Sequence, residues 1–166
     1  MITVFISLGS NLGDAQGALA KARIAVAALE GVDITAASPL YKTEPQGFHD
    51  QPWFVNQVLQ LACAEHWQPS TLLHALLHVE TCLGRVRSSN AAVRFGPRCI
   101  DIDLLLFGNE HCLQPSCQVP HPRMHERAFV LVPLQDIAPQ VTIAGTRIDK
   151  LLQDLAYSVK DQRILQ

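Results

Sequence analysis

The sequence has no apolar run long enough to cross a membrane and carries few charges. Its 166 residues include no stretch of 18 or more apolar residues, which excludes a transmembrane helix. The first residues lack a basic segment and lead at once into a strand-like pattern, so we expect no signal peptide. Charged residues make up 17% of the chain and the net charge is −2. A globally basic nucleic-acid-binding protein is therefore not expected.

Paired cysteine motifs are missing as well. The chain has five cysteines and no C-x-x-C pair, which argues against a disulfide framework and against a cysteine-rich zinc site. We therefore expect a cytoplasmic protein in which each cysteine is a small buried hydrophobic residue. The five are Cys63, Cys82, Cys99, Cys112 and Cys117.

Neither of the common nucleotide-binding loops occurs. The chain contains no G-x-x-x-x-G-K-[ST] and no G-x-G-x-x-G motif, so any nucleotide site is neither a P-loop nor a Rossmann site. What the chain does contain is 48% hydrophobic residues, enough for one packed core. With no repeat, linker or low-complexity segment, we expect a single domain over 1–166.

Hydrophobic periodicity predicts an alternation of strands and helices. The predicted strands are 2–8, 32–41, 53–63 and 99–107, and the predicted helices are 14–30, 70–83, 127–137 and 149–156, with a proline-bounded loop at 115–122. The first six elements run strand, helix, strand, strand, helix, strand. This is the split β-α-β order of a ferredoxin-like α+β sandwich, a mainly antiparallel sheet with helices packed on it.

Two carboxylates on an apolar strand are the first chemical signal. Asp101 and Asp103 stand two residues apart, so they share one face of the predicted strand. Their mutual repulsion and desolvation would be relieved by a cation, and oxygen ligands at this spacing suit Mg²⁺ held together with phosphates. The alternative is a strand edge with two solvated aspartates.

The arginines are concentrated just before that strand. Six of the nine lie between positions 85 and 127, and residues 85–100 contain Arg85, Arg87, Arg94 and Arg98 but no acidic residue. Guanidinium groups bind phosphate oxygens in pairs and neutralise charge during phosphoryl transfer. The segment therefore indicates a small polyanionic ligand such as a nucleotide, the alternative being a solvated basic loop.

Two weaker patterns accompany these signals. Phe54 and Asn56 share one strand face, a combination that suits a planar heterocycle, although a phenylalanine on a strand is more often part of the core. The segment 120–127 adds histidine and arginine beside two prolines. His74 and His78 are interpreted as helix surface, and Gly9-Ser-Asn11 as a turn into the first helix rather than an anion-binding nest.

A series of short motifs runs along nearly the whole chain. They are Ile6-Ser-Leu-Gly-Ser-Asn11, Thr43-Glu-Pro-Gln-Gly47, Asp50-Gln-Pro52, Phe54-Val-Asn56, Gly84-Arg-Val-Arg87, Phe95-Gly-Pro-Arg98, Asp101-Ile-Asp-Leu-Leu105, Val119-Pro-His-Pro122, Arg127-Ala-Phe129 and Asp136-Ile-Ala-Pro139. In this order they resemble the 6-hydroxymethyl-7,8-dihydropterin pyrophosphokinases of folate biosynthesis. The G-P-R-x-x-D-x-D run is the most specific of them.

The resemblance implies transfer of pyrophosphate from ATP to the pterin hydroxymethyl group with release of AMP. It implies that Asp101 and Asp103 bind two Mg²⁺ ions and that Arg85 and Arg98 lie nearest the transferred phosphates. The implied ATP-binding residues are Glu80, Arg87, Arg94, Phe95, Leu104, His121 and Arg127. The implied pterin-binding residues are Thr43, Phe54, Asn56 and Phe129, whose two rings enclose the heterocycle. The expected partners are these two substrates, with no nucleic acid, no membrane and a monomeric protein.

Two rival functions and one mechanistic choice stay open at this stage. A nucleotidyltransferase would also use a two-carboxylate strand with Mg²⁺, but it should carry a broad basic track. A non-catalytic pterin- or nucleotide-binding module would not need Asp101, Asp103 and Arg98 together. The general base is undecided, since Asp101 or a metal-bound water could accept the alcohol proton.

Overall fold

The computed structural model describes residues 1–45, 50–86 and 96–166. Three of the expected ATP-binding residues, Arg87, Arg94 and Phe95, lie outside the described residues, so their assignment stays a prediction. Of the helices in these ranges, none is long and apolar enough to span a bilayer.

Strands and helices alternate along the chain in the predicted order. The strands are β1 (Ile2–Ser10), β2 (Val32–Ala37), β3 (Tyr41–Thr43), β4 (Phe54–Cys63), β5 (Asp101–Phe107), β6 (Cys112–Gln114), β7 (Cys117–Val119), β8 (Thr142–Ile143), β9 (Thr146–Arg147), β10 (Ser158–Lys160) and β11 (Arg163–Leu165). The helices are α1 (Ala15–Ala27), α2 (Pro69–Cys82), α3 (Ala128–Ile137) and α4 (Ile148–Gln153), with a 3-10 turn at Met124–Glu126.

Local sequence explains where the first two helices begin. Asp14 precedes α1, and its side chain accepts a hydrogen bond from the backbone N–H of Gly17 at 3.0 Å, so one of the free amides of the first turn is satisfied. Pro69 opens α2, a position where proline's fixed φ suits the helix and its missing N–H costs nothing.

Seven strands form one mixed sheet in the order β10–β11–β3–β4–β1–β5, and β2 pairs with the far half of β4. β4 is antiparallel to β1, β2 and β3, and β5 is antiparallel to β1. The series β5–β1–β4–β2 is the ferredoxin-like order, because each crossover helix carries the chain past one strand before it returns. The predicted α+β fold is confirmed.

The two faces of the sheet are covered by different helices. Alternate β1 residues Val4, Ile6 and Leu8 are fully buried with residues of α1 and α2. Phe5, which points the other way, packs in a second cluster with residues of α3 and α4. Side chains in phase with Phe5, on β1 and on its neighbours, therefore point toward the α3 side of the sheet.

Three expectations about secondary structure and burial are corrected. The predicted strand 32–41 is two strands, because Pro39 cannot donate to a ladder and the Ser38 hydroxyl accepts from Val58 N at 3.0 Å. The predicted loop 115–122 includes β7, which pairs with β6. Of the cysteines, Cys63 and Cys117 are buried, Cys82 is exposed and the other two are partly exposed.

The short strands after residue 140 were not predicted. β8 and β9 have two residues each, and β10 and β11 have three. Such lengths are too short for hydrophobic alternation to be recognised. Their pairing depends on distant partners, since β11 joins the sheet next to β3, more than a hundred residues earlier in the chain.

Candidate active site

Strand register brings the expected site residues into one row across the sheet. Gly9 of β1 lies opposite Asp101 of β5 on one side and opposite Asn56 of β4 on the other. Two residues along, Ser7 lies opposite Asp103. The two carboxylates and the amide, separated by some 45 residues in sequence, therefore stand at the same end of the sheet, on the α3 side.

A cavity of about 450 Å³ opens over this row. Its lining includes both aspartates, four arginines, and Phe54, Asn56 and Phe129. The residues that line it are Ser7, Gly9, Thr43, Glu44, Gln51, Phe54, Asn56, Leu73, Leu77, Glu80, Arg85, Arg98, Asp101, Ile102, Asp103, His121, Arg123, Arg127 and Phe129. Of the residues predicted for nucleotide and for pterin, those that the structure describes share this cavity, with the exception of Leu104.

Two arginines bind the carboxylate of Asp101. Arg85 Nη1 donates to its Oδ1 and Arg98 Nη1 donates to its Oδ2. Burial would raise the pKa of Asp101, but the positive charges of Arg98 and Arg85 outweigh it and hold the pKa below its usual value. Asp101 is therefore ionised in the folded protein, and it fixes both guanidinium groups at the cavity wall.

Asp103 has a different environment although it lies two residues away. Its partner is Arg127, whose Nη1 is 3.5 Å from Asp103 Oδ2. Burial, together with the negative charge of Asp101, raises the pKa of Asp103 to about 6, and Arg127 offsets this only in part. A second cation next to Asp103 would stabilise its carboxylate, which is the property expected of a metal ligand.

The donor set fits a magnesium ion that is shared with phosphates. Among the residues that the structure describes, no group of three or more His, Cys, Asp or Glu could hold a metal by itself. Mg²⁺ is commonly bound by one or two carboxylates together with substrate phosphates and waters. Each carboxylate oxygen has two lone pairs, so the arginine contacts of Asp101 leave acceptor capacity for a cation.

Glu80 holds the edge strand and one arginine in place. It is 1% exposed, its Oε1 accepts from the backbone N–H of Ile102 at 2.6 Å, and the same atom accepts from Arg85 Nη1 at 2.7 Å. A side chain from α2 thereby satisfies one backbone N–H of the edge strand β5. Glu80 lines the cavity, where its contacts position Arg85 next to Asp101.

The polar surface formed by Asn56 beside Phe54 depends on Gly9. Asn56 is buried, and its Nδ2 donates to Thr43 Oγ1 at 2.6 Å, which fixes the orientation of the amide. A Cβ added at Gly9 would lie 2.7 Å from Asn56 Oδ1. Only glycine leaves room for the amide at this point, and Oδ1 is the atom turned toward the space above β1.

The two phenylalanines predicted to enclose the pterin line the same cavity from different elements. Phe54 is the first residue of β4 and Phe129 lies in the first turn of α3. Both are partly exposed. The Arg127 guanidinium carbon lies 5.5 Å from the centre of the Phe129 ring, a cation–π distance. Arg127 therefore stands between the ring and Asp103.

Of two further residues expected to bind ATP, one lines the cavity and the other does not. His121 lines the cavity, and burial together with Arg127 lowers its pKa to about 4, so its ring is neutral at pH 7. Leu104 does not line the cavity: its side chain is 4% exposed and packs in the core on the α1 and α2 side of the sheet. Alternation along β5 turns this side chain to the opposite face from Asp103, so the ATP-binding assignment of Leu104, which stays a prediction, would depend on its main chain.

Sequence reasoning missed the role of Asn11, which was interpreted as part of a turn. Asn11 is 4% exposed. Its Oδ1 accepts from Arg98 N at 2.8 Å, and its Nδ2 donates to Pro52 O at 2.9 Å and to Gln51 Oε1 at 3.1 Å. The residue joins the end of β1 to the segment before Phe54 and to Arg98. Its partners lie about 40 and 87 positions away, so no local pattern could reveal them.

A family model described as 7,8-dihydro-6-hydroxymethylpterin-pyrophosphokinase (HPPK) matches residues 5–139. The chain belongs to the HPPK family. Proteins named 2-amino-4-hydroxy-6-hydroxymethyldihydropteridine pyrophosphokinase are similar to it. One from Methylorubrum extorquens is 40% identical over 155 residues, 93% of this chain and 94% of its own. One from Pseudomonas aeruginosa is 41% identical over 150 residues, 90% and 89% of the two chains.

A relative with the same printed name from Haemophilus influenzae is 35% identical over 166 residues, covering 100% of this chain and 98% of its own. Among solved structures, a Plasmodium falciparum HPPK-DHPS protein superposes with a TM-score of 0.69 at 12% identity, over 92% of this chain. The chain spans 43% of the length of that protein, so this likeness shows the fold alone. As an HPPK, the enzyme transfers pyrophosphate from ATP to 6-hydroxymethyl-7,8-dihydropterin in folate biosynthesis.

Proposed function

We propose that the cavity holds ATP and the hydroxymethyl pterin side by side, with the phosphates over β5 and the pterin between Phe54 and Phe129. The observation that carries this assignment is that two sets of residues line one cavity. Arginines and carboxylates form the charged set, and two rings with a buried amide form the aromatic set. Arg127 contacts both sets, with Asp103 at 3.5 Å and the centre of the Phe129 ring at 5.5 Å. Transfer between two bound substrates requires this adjacency.

Asp101 and Asp103 would hold Mg²⁺, with two ions expected. Bound there, the metal would neutralise phosphate charge and help to orient the phosphates. The chain's own residues supply the rest of the positive charge: Arg85 and Arg98 at the wall on the Asp101 side, and Arg127 on the Asp103 side. Spreading charge and positioning groups are most of what phosphoryl-type transfer asks of a protein.

The contacts of Asp101 argue against its use as the general base. A group whose pKa is held below its usual value by two arginines is a weak proton acceptor. On the pterin side, Asn56 would read the edge of the heterocycle through its free oxygen, while Thr43 keeps the amide from rotating. A site with a fixed acceptor rejects ligands that lack the matching donor.

The remaining proposals concern the other ATP-binding residues, the domain, the oligomeric state and the location of the protein. We propose that ATP-binding also involves Glu80, His121, Arg127, the Leu104 main chain and the residues Arg87, Arg94 and Phe95. We further propose a single pyrophosphokinase domain over 1–166, monomeric, acting without nucleic acid or membrane. The free cysteines support a cytoplasmic location.

The test is to incubate the protein with ATP, Mg²⁺ and 6-hydroxymethyl-7,8-dihydropterin and to follow AMP by chromatography. We expect one AMP for each pterin converted, and no AMP when the pterin or Mg²⁺ is omitted. Release of ADP instead would mean single-phosphoryl transfer. AMP release that does not need the pterin would show an ATP-hydrolysing site and would overturn the assignment of the aromatic set to the pterin.

A further inference from the structure

Strand β11, the last strand in chain order, lies beyond the range that the family model matches and packs next to the residues proposed to bind the pterin. That range ends at residue 139, whereas β11 is Arg163–Leu165 and pairs in parallel with β3. Ile164 lies opposite Thr43, and Lys42 N donates to Gln162 O at 2.8 Å. The main chain of β11 is therefore bonded to the strand that carries Thr43.

The side chain of Ile164 fills the space between β3 and α3. It is 1% exposed and forms a small core cluster with Tyr41 of β3 and Ala128, the first residue of α3. Phe129 packs against the same cluster. The two elements that carry Thr43 and Phe129 are thus packed on one residue of β11.

Gln166 completes this connection with two hydrogen bonds to the start of α3. Its Oε1 accepts from Ala128 N at 2.8 Å, and its Nε2 donates to Glu126 O at 2.6 Å. The first N–H groups of a helix have no partner within the helix. Within the described part of the chain, Arg127, the N-cap residue of α3, makes no side-chain capping hydrogen bond. Gln166 supplies an acceptor to this turn from 38 residues away.

Arg127 lies between Glu126 and Ala128, the two residues that Gln166 bonds, and Phe129 follows Ala128 in the helix. Arg127 and Phe129 both line the cavity. A shift of the Glu126–Ala128 main chain would move the Phe129 ring directly, because Phe129 is the next residue and a single methylene joins its ring to the backbone. The Arg127 guanidinium would move less, because a long flexible stem separates it from the backbone and Asp103 anchors its end.

We propose that Gln166 is a positioning residue for the pterin substrate, which acts by fixing the first turn of α3 and hence the Phe129 ring. This inference rests on the proposed assignment of Phe129 to the pterin slot. The alternative is a purely structural bond, whose loss would lower stability and affect both substrates alike.

The two readings are separated by steady-state kinetics of Gln166→Ala. We expect the KM for the pterin to rise about three- to tenfold, the range that corresponds to loss of a helix cap, and the KM for ATP to change less than twofold. Gln166→Glu keeps an acceptor for Ala128 N, so its pterin KM should lie nearer to that of the unmodified protein than to that of Gln166→Ala.

The matched control is Leu165→Ala, which truncates an exposed neighbour on the same strand whose side chain alternates with that of Ile164. It should leave both KM values unchanged. Melting temperatures are recorded for all variants, and because Gln166 is exposed each variant should fold. Equal changes in the two KM values, or no change in the pterin KM, would overturn the positioning role.

Phe129→Ala keeps this test distinct from a failure of the proposed function. If Phe129→Ala raises the pterin KM and Gln166→Ala does not, the slot stands and the role of Gln166 is rejected. If Phe129→Ala leaves the pterin KM unchanged, the assignment of the slot itself is wrong, and the role of Gln166 is rejected with it.

Discussion

The two carboxylates of β5 are equivalent by sequence spacing but not by environment. Arg85 and Arg98 neutralise Asp101, whereas the ion-pair partner of Asp103 within the described residues is the more distant Arg127. Of the two, Asp103 gains more from an added cation. We therefore propose that, although both aspartates would hold Mg²⁺, Asp101 chiefly organises the arginines and Asp103 depends more on the metal.

This division predicts that Asp103→Asn lowers kcat about 10²–10³-fold, the cost of losing one charge-stabilising group in such a site. Because the amide is a poorer metal ligand than a carboxylate, the Mg²⁺ concentration for half-maximal rate should also rise. Rates of AMP release measured over a Mg²⁺ titration provide the check. Asp33→Asn, an exposed change on β2, is the control. An unchanged Mg²⁺ dependence for Asp103→Asn would refute the metal role.

Asn11 is the residue whose removal should disturb Arg98 without touching a substrate. Asn11→Ala leaves the Arg98 N–H without its side-chain acceptor, and loss of such a partner at a buried site costs about 1–3 kcal/mol. We expect a lower free energy of unfolding and a lower kcat, measured by urea denaturation and by AMP release.

Asn11→Asp sharpens the same prediction. It keeps the acceptor for Arg98 N but turns an oxygen toward Pro52 O and Gln51, where the amide donated. If the bond to Arg98 governs catalysis, Asn11→Asp should retain more kcat than Asn11→Ala even where its stability is no higher. A kcat that simply follows stability across both variants would show that Asn11 has only a structural role.

At the scale of elements, β4 and α3 each contribute one ring to the proposed pterin slot, but the two rings differ in how far they pack into the core. Phe129 packs against two of the core clusters, formed with α3, α4 and β11. Phe54 is partly exposed at the start of β4 and belongs to none of the core clusters in the described part of the chain. Truncating either ring should therefore weaken pterin binding, but only truncation of Phe129 should lower the stability of the fold.

We predict that Phe54→Ala and Phe129→Ala each weaken pterin binding at least three- to tenfold, since stacking contributes about 0.5–1.5 kcal/mol beyond buried area. The affinity for ATP with Mg²⁺ should stay nearly unchanged. Only Phe129→Ala should also lower the free energy of unfolding, by about 1–3 kcal/mol for a partly buried ring. Calorimetric titration with each ligand and thermal unfolding test this. Parallel losses of both ligands in Phe54→Ala would contradict the slot.

At the scale of the whole molecule, the charged cavity makes stability depend on pH. His121 has its pKa lowered from 6.5 to about 4 by burial and by Arg127, so between these values the unfolded chain binds a proton that the folded protein does not. The contribution of His121 to stability therefore falls as the pH drops from about 7 toward 4.

The expected contribution of His121 is on the order of 1 kcal/mol between pH 7 and pH 5, after allowance for its partial exposure. Urea denaturation of the unmodified protein and of His121→Gln at both pH values measures it, since common contributions cancel in the difference. His74→Gln, at an exposed position of α2, is the matched control. If His121→Gln loses as much stability as the unmodified protein over this interval, the neutral buried histidine is refuted.

Local sequence was enough to predict five of the first six elements, whereas the predicted strand 32–41 is two strands. Period and capping placed β1, α1, β4, α2 and β5, because each is long enough to show its pattern. The D-x-D spacing put both carboxylates on one strand face without any knowledge of partners. The ferredoxin-like topology followed from the order of the elements.

Only the tertiary structure decided which groups meet. Register sets Gly9 between Asp101 and Asn56, Asn11 reaches Arg98, and Gln166 reaches Ala128. The unequal pKa values of Asp101 and Asp103 also arise from arginines that spacing does not place. Hydrophobic periodicity and motif spacing in the sequence depend on the local geometry of a helix or strand over one or two turns. Contacts between distant segments depend on how the completed core aligns them, and for that reason they are absent from any local pattern.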